Sequence, residues 1–347
     1  MFCNDNFLVE KNDLLCSKRL LSEILSLISL SFSIFTVFVS FKKLKMNITN
    51  ILIIHIIISE ILDSINVLTA IFFDIIGRQT FENYRTRMNI CFFQIFIGVF
   101  TCLWTLFSCF FISLRIYDRM QNKNRIFRTK FMANFTTVMS YAIPLIMTYI
   151  LWAIQITNQA NKISENDLNS YYPDKEKSND YFRHMYCWVT GSVNWSLFFI
   201  TIILIILNLY FSIVKSALFI KKVSNEMIDT EEDIRESIQV KIRKMNRMMY
   251  SLIIYPITSA ILWVSFFVIQ FLFNLKPDEK DGKDGSFKNG PLAWIYCSII
   301  SLRQFIYTSV FFWTQSSLRK YTLGLFSCNN SKSNNSSKHT SFDNELN

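Results

Sequence analysis

Long apolar runs alternate with short charged segments along this chain. The runs fall at 20–41, 48–76, 90–117, 131–156, 192–220, 248–273 and 291–314. Each is long enough to cross a bilayer core of about 30 Å at about 1.5 Å per residue. Inside lipid every backbone N–H and C=O must find its partner within the same segment, so each run is expected to be an α-helix. The predicted fold is an all-α membrane protein, a seven-transmembrane helix bundle over 20–314. Residues 1–19 are read as an extracellular N-terminus; the first run begins too deep and is too plainly followed by a second span for a cleaved signal peptide, with a signal anchor as the alternative. A short amphipathic juxtamembrane helix is expected over 315–327. Residues 328–347, rich in Asn and Ser, are expected to be a disordered cytoplasmic tail.

Charge sets the expected orientation. Segment 42–47 carries Lys42, Lys43 and Lys45 and no acid, and 118–130 carries Arg119, Lys123, Arg125, Arg128 and Lys130 against Asp118 alone. Segments 157–184 and 274–290 balance their cations with Asp and Glu. Basic loops stay on the cytoplasmic side, so the N-terminus is predicted outside and the C-terminus inside. Segment 77–89, with Arg78, Arg85 and Arg87, goes against this assignment.

Composition narrows the function classes. A net charge of +10 over 347 residues is explained by this positive-inside bias, so no nucleic-acid partner is expected. His55, His184 and His339 fall in three different compartments and the cysteines lack CxxC spacing, which leaves no metal centre. Run 291–314 contains no lysine for a retinal Schiff base. No catalytic residue, cofactor or enzymatic activity is expected.

Two cysteines sit at one outer level, Cys91 at the start of the third run and Cys187 in "MYCWVTG", beside the interfacial Trp188. A disulfide between them would pin the second outer loop over the bundle, in a compartment oxidising enough to keep it. Cys3 and Cys16 remain open as a second pair.

Four motifs in order carry a resemblance. They are Leu103-Trp104-Thr105-Leu106 within "CFFQIFIGVFTCLWTLFSCFFISLRIY", "YCW" at 186–188, "IPLIMT" at 143–148 and "LIIYPITSAILW" at 252–263. Across roughly 40–320 the chain resembles the cyclic-AMP chemoattractant receptors of social amoebae, a family of G-protein-coupled receptors. The resemblance implies a plasma-membrane receptor that passes an extracellular small-molecule signal to a heterotrimeric G protein. Ligand identity is not carried over, and a cyclic nucleotide is one possibility. The third run ends "LRIYDRM", without an Asp-Arg-Tyr triplet, and the third inner loop opens with the acidic "NEMIDTEEDIRE". The alternative class is a seven-helix channel or transporter, which would call for paired repeats or broken helices that the sequence does not display.

Ionisable residues inside spans are costly and mark function. Glu60 and Asp63, three apart, share one helix face, and Arg303 is the single cation of the last run. At about 1.5 Å per residue Asp63 lies some 22 Å along the second span and Arg303 roughly 18 Å along the seventh. The resemblance makes those two helices neighbours, so Arg303 is expected to pair with Asp63, with Glu60 as alternate. The competing reading has Arg303 face the cavity and bind an anionic ligand group. Candidate ligand-pocket residues in the outer half are Asn66, Gln94, Gln155, Trp195, Gln270 and Tyr307. Pro256 and Trp263 are candidates for a conformational switch in the sixth span.

On the inner side Arg119, Arg125, Arg128, Lys241, Arg243, Lys244 and Arg247 are candidates for G-protein coupling, with contact to anionic lipid as the plainer role. After the last run, Leu318, Tyr321, Leu325 and Phe326 share one face opposite Arg319 and Lys320, the pattern of a helix lying along the membrane. Cys328 just beyond is a candidate for palmitoylation.

Overall fold

The structure, a computed structural model, describes residues 9–44, 47–80, 84–121, 130–165, 191–226, 243, 250, 252–268, 291–315 and 318–322. Among them no strand is present. The helices are α1 (Val9–Lys43), α2 (Ile48–Thr80), α3 (Tyr84–Gln121), α4 (Lys130–Glu165), α5 (Gly191–Leu209) and α6 (Lys215–Glu226), followed by α7 (Leu252–Val268) and α8 (Pro291–Thr314). A π-helical turn, Tyr210–Val214, joins α5 to α6. Residues 318–322 add a further helical turn.

Five segments are long and apolar enough to cross a membrane: Ile24–Lys43, Ile48–Thr69, Phe92–Asp118, Asn134–Asn158 and Ser192–Lys222. Helix α7 is apolar but shorter. This is a multi-pass helical chain whose outer surface is apolar. Helix α4 exposes Leu145, Ile146, Tyr149 and Ile150, and α1 exposes Leu27, Ile28, Ile34 and Phe38. The interior, by contrast, holds many hydroxyls: Ser26, Ser29, Ser33, Thr36 and Ser40 of α1 are all buried. Lipid offers no hydrophobic drive between helices, so small and hydrogen-bonding residues gather where backbones approach. One such contact joins Ser33 to Thr308 of α8 at 2.6 Å.

Helices outrun the apolar runs. The segment expected as loop 77–89 is helical up to Thr80 and again from Tyr84, and α1 begins at Val9, ahead of the apolar run that starts at 20. Apolarity marks the part of a helix that sits in lipid, whereas a helix continues into water wherever its residues allow. Helix α2 starts at a definite cap: the Asn47 side-chain oxygen accepts from the Asn50 N–H at 2.9 Å.

Helix α3 is the hub, packed against α2, α4, α5 and α6, while α1 lies against α2 and α8, and α8 also meets α2. Two apolar clusters stack along the bundle. One gathers Val67, Ile95, Val99, Leu103, Leu197 and Phe267. The other gathers Leu52, Ile56, Ile112, Tyr255, Tyr307 and Phe311. Helix α7 joins both, through Trp263 and Phe266 in the first and Leu252 and Tyr255 in the second.

The α3–α5 seam carries a polar pair beside the π turn. Asn208 donates from Nδ2 to the Leu106 carbonyl at 3.4 Å and accepts from the Ser113 hydroxyl at 3.3 Å. Asn208→Leu should therefore lower unfolding free energy by about 0.6–1.7 kcal/mol, the measured span for interhelical hydrogen bonds in membrane proteins. Denaturation in mixed micelles measures this directly; no change would mean that the Asn208 amide is equally satisfied when the helices separate.

Candidate functional site

Between the two apolar clusters lies a knot of charged side chains. Glu60 and Asp63, less than one turn apart on α2, both turn toward α8. Arg303 reaches between them: its Nε donates to Glu60 Oε2 at 3.2 Å, and its Nη2 forms an ion pair with Asp63 Oδ2. The planar guanidinium fork suits this task, because two N–H groups pointing apart can bridge two carboxylates. Glu60, Asp63 and Arg303 are only 1%, 2% and 3% exposed.

Neighbouring side chains complete the knot. Gln304 donates from Nε2 to Asp63 Oδ2 at 3.5 Å, while its Oε1 accepts from the Ser64 hydroxyl at 2.5 Å. From α3, Thr101 donates to Asp63 Oδ1 at 3.3 Å, and Thr105 Oγ1 lies 3.2 Å from Glu60 Oε1. From α7, the Trp263 ring lies against the guanidinium, 4.3 Å from its central carbon. Four helices thus meet at one ion cluster. A buried charge is tolerable only when paired and hydrogen-bonded, and here each of the three has both.

The pairing expected from depth thus joins Arg303 to both Asp63 and Glu60, and the residue proposed as a switch, Trp263, lies on the same cation. Thr101, Ser64 and Gln304 were not singled out from the sequence, and Thr105 entered only within the Leu103–Leu106 motif. Their signal was present: Thr101 and Thr105 are four apart on one face of an otherwise apolar helix, and Gln304 adjoins Arg303.

Five of the six proposed ligand-pocket residues are described. Asn66 donates to the Gln94 carbonyl at 3.1 Å, so these two buried residues do meet. Gln155 is buried on α4. Tyr307 packs in the other cluster, with Ile112 and Phe311, because it sits about 24 Å along α8 and past the middle. Trp195 is 46% exposed, meets the Phe198 ring edge-on and lies tilted against Phe199. It lies two residues from both Val193 and Leu197, which are buried, and so falls on the opposite face of α5. Gln270 lies outside the described residues, as do Cys187, Arg125, Arg128, Lys241, Lys244, Arg247 and Cys328. The side chains of Cys91 and Arg119 are likewise not described, so the expected disulfide falls outside what the structure covers. Arg243 is exposed. Pro256 lies near the start of α7.

Among the described residues no group of three or more His, Cys, Asp or Glu is placed to hold a metal ion. Where the chain leaves α1 and α8, cations gather instead: Lys43 Nζ lies 4.4 Å over the Tyr321 ring, and Arg319 stacks on Trp313 at 5.5 Å. Leu318 is fully buried beside them and Lys320 is exposed, the sidedness expected of an amphipathic turn. No protein-family model matches this chain, and no curated protein matches it either.

Proposed function

We propose that the chain is a seven-helix G-protein-coupled receptor of the plasma membrane, with its N-terminus outside. The observation that carries this reading is the ion cluster, which ties α2, α3, α7 and α8 together midway between two apolar clusters. Such a knot has discrete arrangements rather than a continuum, as a two-state transmembrane switch requires. An outer ligand that repacks α7 and α8 shifts Trp263 and Arg303, and the inner helix ends follow. Counting α7 and α8 with the five longer apolar segments makes seven crossings. The basic segments 42–47 and 118–130 then face the cytosol, with Lys42, Lys43, Arg319 and Lys320 against acidic headgroups.

The test is nucleotide exchange on a Gα subunit by the purified chain in nanodiscs. Neutralising Arg125, Arg128, Lys241 and Lys244 together should abolish most of the exchange while surface expression stays near wild type. Exchange that survives intact would reduce these cations to topology signals. Ion flux without any exchange would favour a channel instead.

A further inference from the structure

The end of α1 and the turn at 318–322 carry four cations that no carboxylate balances. Lys42 and Lys43 close α1, and Arg319 and Lys320 stand in the turn. Among the described residues none of the four forms an ion pair with an acid. The fold brings these two stretches, nearly the whole chain apart in sequence, to one place. Helix α1 packs along α8, and Leu318 joins the inner apolar cluster with Val39 and Leu52, while Leu44 and Tyr321 pack at its edge. Lys43 Nζ lies 4.4 Å over the Tyr321 ring, so α1 and the turn meet through a cation. A ring face attracts the charge without accepting an ordinary hydrogen bond, and so leaves the N–H groups for oxygen acceptors.

The rings indicate what kind of acceptor fits. Lys42 Nζ lies 4.5 Å over Phe38, and the Arg319 guanidinium lies 5.5 Å over Trp313. Both rings are exposed, Phe38 within the apolar span Ile24–Lys43 and Trp313 one residue before the end of α8. At the end of a span such rings sit where acyl chains give way to headgroups. Inorganic phosphate would satisfy the cations and leave the rings uncovered. An anionic head on an apolar body does both.

We propose that the end of α1 and the turn at 318–322 form a binding site for an anionic phospholipid. Lys42, Lys43, Arg319 and Lys320 hold its phosphate and headgroup, and its acyl chains lie against the exposed rings beside them. This gives the membrane placement above a bound partner, and it stands whether or not the chain is a receptor. Because the lipid touches α1 and the turn together, it also holds the turn against the bundle.

Tryptophan fluorescence of the purified full chain in phosphatidylcholine nanodiscs tests this, with bromine on the acyl chains of a minor lipid as quencher. The Trp313 contribution is the difference between wild type and Trp313→Phe, which keeps a ring beneath Arg319. Brominated phosphatidylserine should quench Trp313 at a lower mole fraction than brominated phosphatidylcholine does. Lys43→Gln and Arg319→Gln should each raise the phosphatidylserine fraction required about fivefold, the effect of one Lys or Arg near an anionic surface. Lys221→Gln, at an exposed cation of α6, should leave it unchanged. Equal quenching of the wild type by the two lipids overturns the proposal, as does an unaltered preference in both the Lys43 and the Arg319 variants. A loss in Lys221→Gln as large as in Lys43→Gln also overturns it, because the attraction would then be diffuse surface charge. Displacement of phosphatidylserine by inorganic phosphate at constant ionic strength would make the ligand a soluble anion and overturn the lipid site.

Discussion

Arg303→Gln should destabilise the bundle by about 3–5 kcal/mol, the cost of removing one partner from a buried ion pair. The substitution removes the Arg303 charge from the Asp63 carboxylate and leaves it the Thr101 and Gln304 donors, in an interior where its exposure is 2%. Asp63→Asn should cost less, because Glu60 remains 3.2 Å from Arg303 Nε and can take over as its counter-ion. Arg303→Lys should fall between: one ammonium cannot span two carboxylates held in different directions. The reciprocal change, Asp63→Arg with Arg303→Asp, should recover part of the loss, as pairing demands. Unfolding in mixed micelles and surface expression both report the order. A cost for Arg303→Gln no greater than that of an exposed pair, about 1 kcal/mol or less, would mean that the guanidinium is solvated in the native state. An Arg303 variant that folds normally and loses only ligand binding would favour the ligand-anchor role.

The ion cluster was legible because lipid makes charge informative. In an apolar run an ionisable residue has few tolerable explanations, so Glu60, Asp63 and Arg303 stood out, and helical rise alone brought Asp63 and Arg303 to similar depth. What surrounds them was harder to read. Hydropathy averages over a helix and says little about which face turns inward, so it does not separate the half-exposed Trp195 from its buried neighbours Val193 and Leu197. Thr101 and Thr105 sit among residues of similar size, and hydroxyls in membrane helices commonly bond their own backbone. Thr101 does so too, to the Gly98 carbonyl at 3.1 Å. The buried stripe Ser26, Ser29, Ser33, Thr36 and Ser40, spaced three and four apart, is the packing face of α1, and hydropathy does not reveal it because the face that packs is polar and the face toward lipid apolar. The π turn at Tyr210–Val214 has no proline or glycine to announce it; its trace is the polar series Asn208, Ser212 and Ser216, in which Ser212 donates to the Asn208 carbonyl and Ser216 to the Phe211 carbonyl.

Trp263→Ala should cost about 3–5 kcal/mol, the range for truncating a buried tryptophan, and should do so for two separable reasons. The side chain is fully buried and packs on Phe266 and Phe267, so its removal opens a cavity in the apolar cluster of α3, α5 and α7. It also strips the Arg303 guanidinium of the ring 4.3 Å away, a cation–π contact worth about 2 kcal/mol when desolvated. Trp263→Phe separates the two. The indole N–H has no hydrogen-bond partner among the described residues, so phenylalanine forfeits no hydrogen bond and keeps an aromatic face for the cation. It should therefore lose much less than alanine does. A double-mutant cycle of Trp263→Leu with Arg303→Met isolates the contact: a coupling of about 0.5–2 kcal/mol is expected of a cation on an aromatic face. A coupling of zero with the full loss retained in Trp263→Ala would make Trp263 a packing residue that merely lies beside the cluster. A substantial coupling would mean that moving α7 perturbs Arg303 directly, the physical link a switch at this position needs.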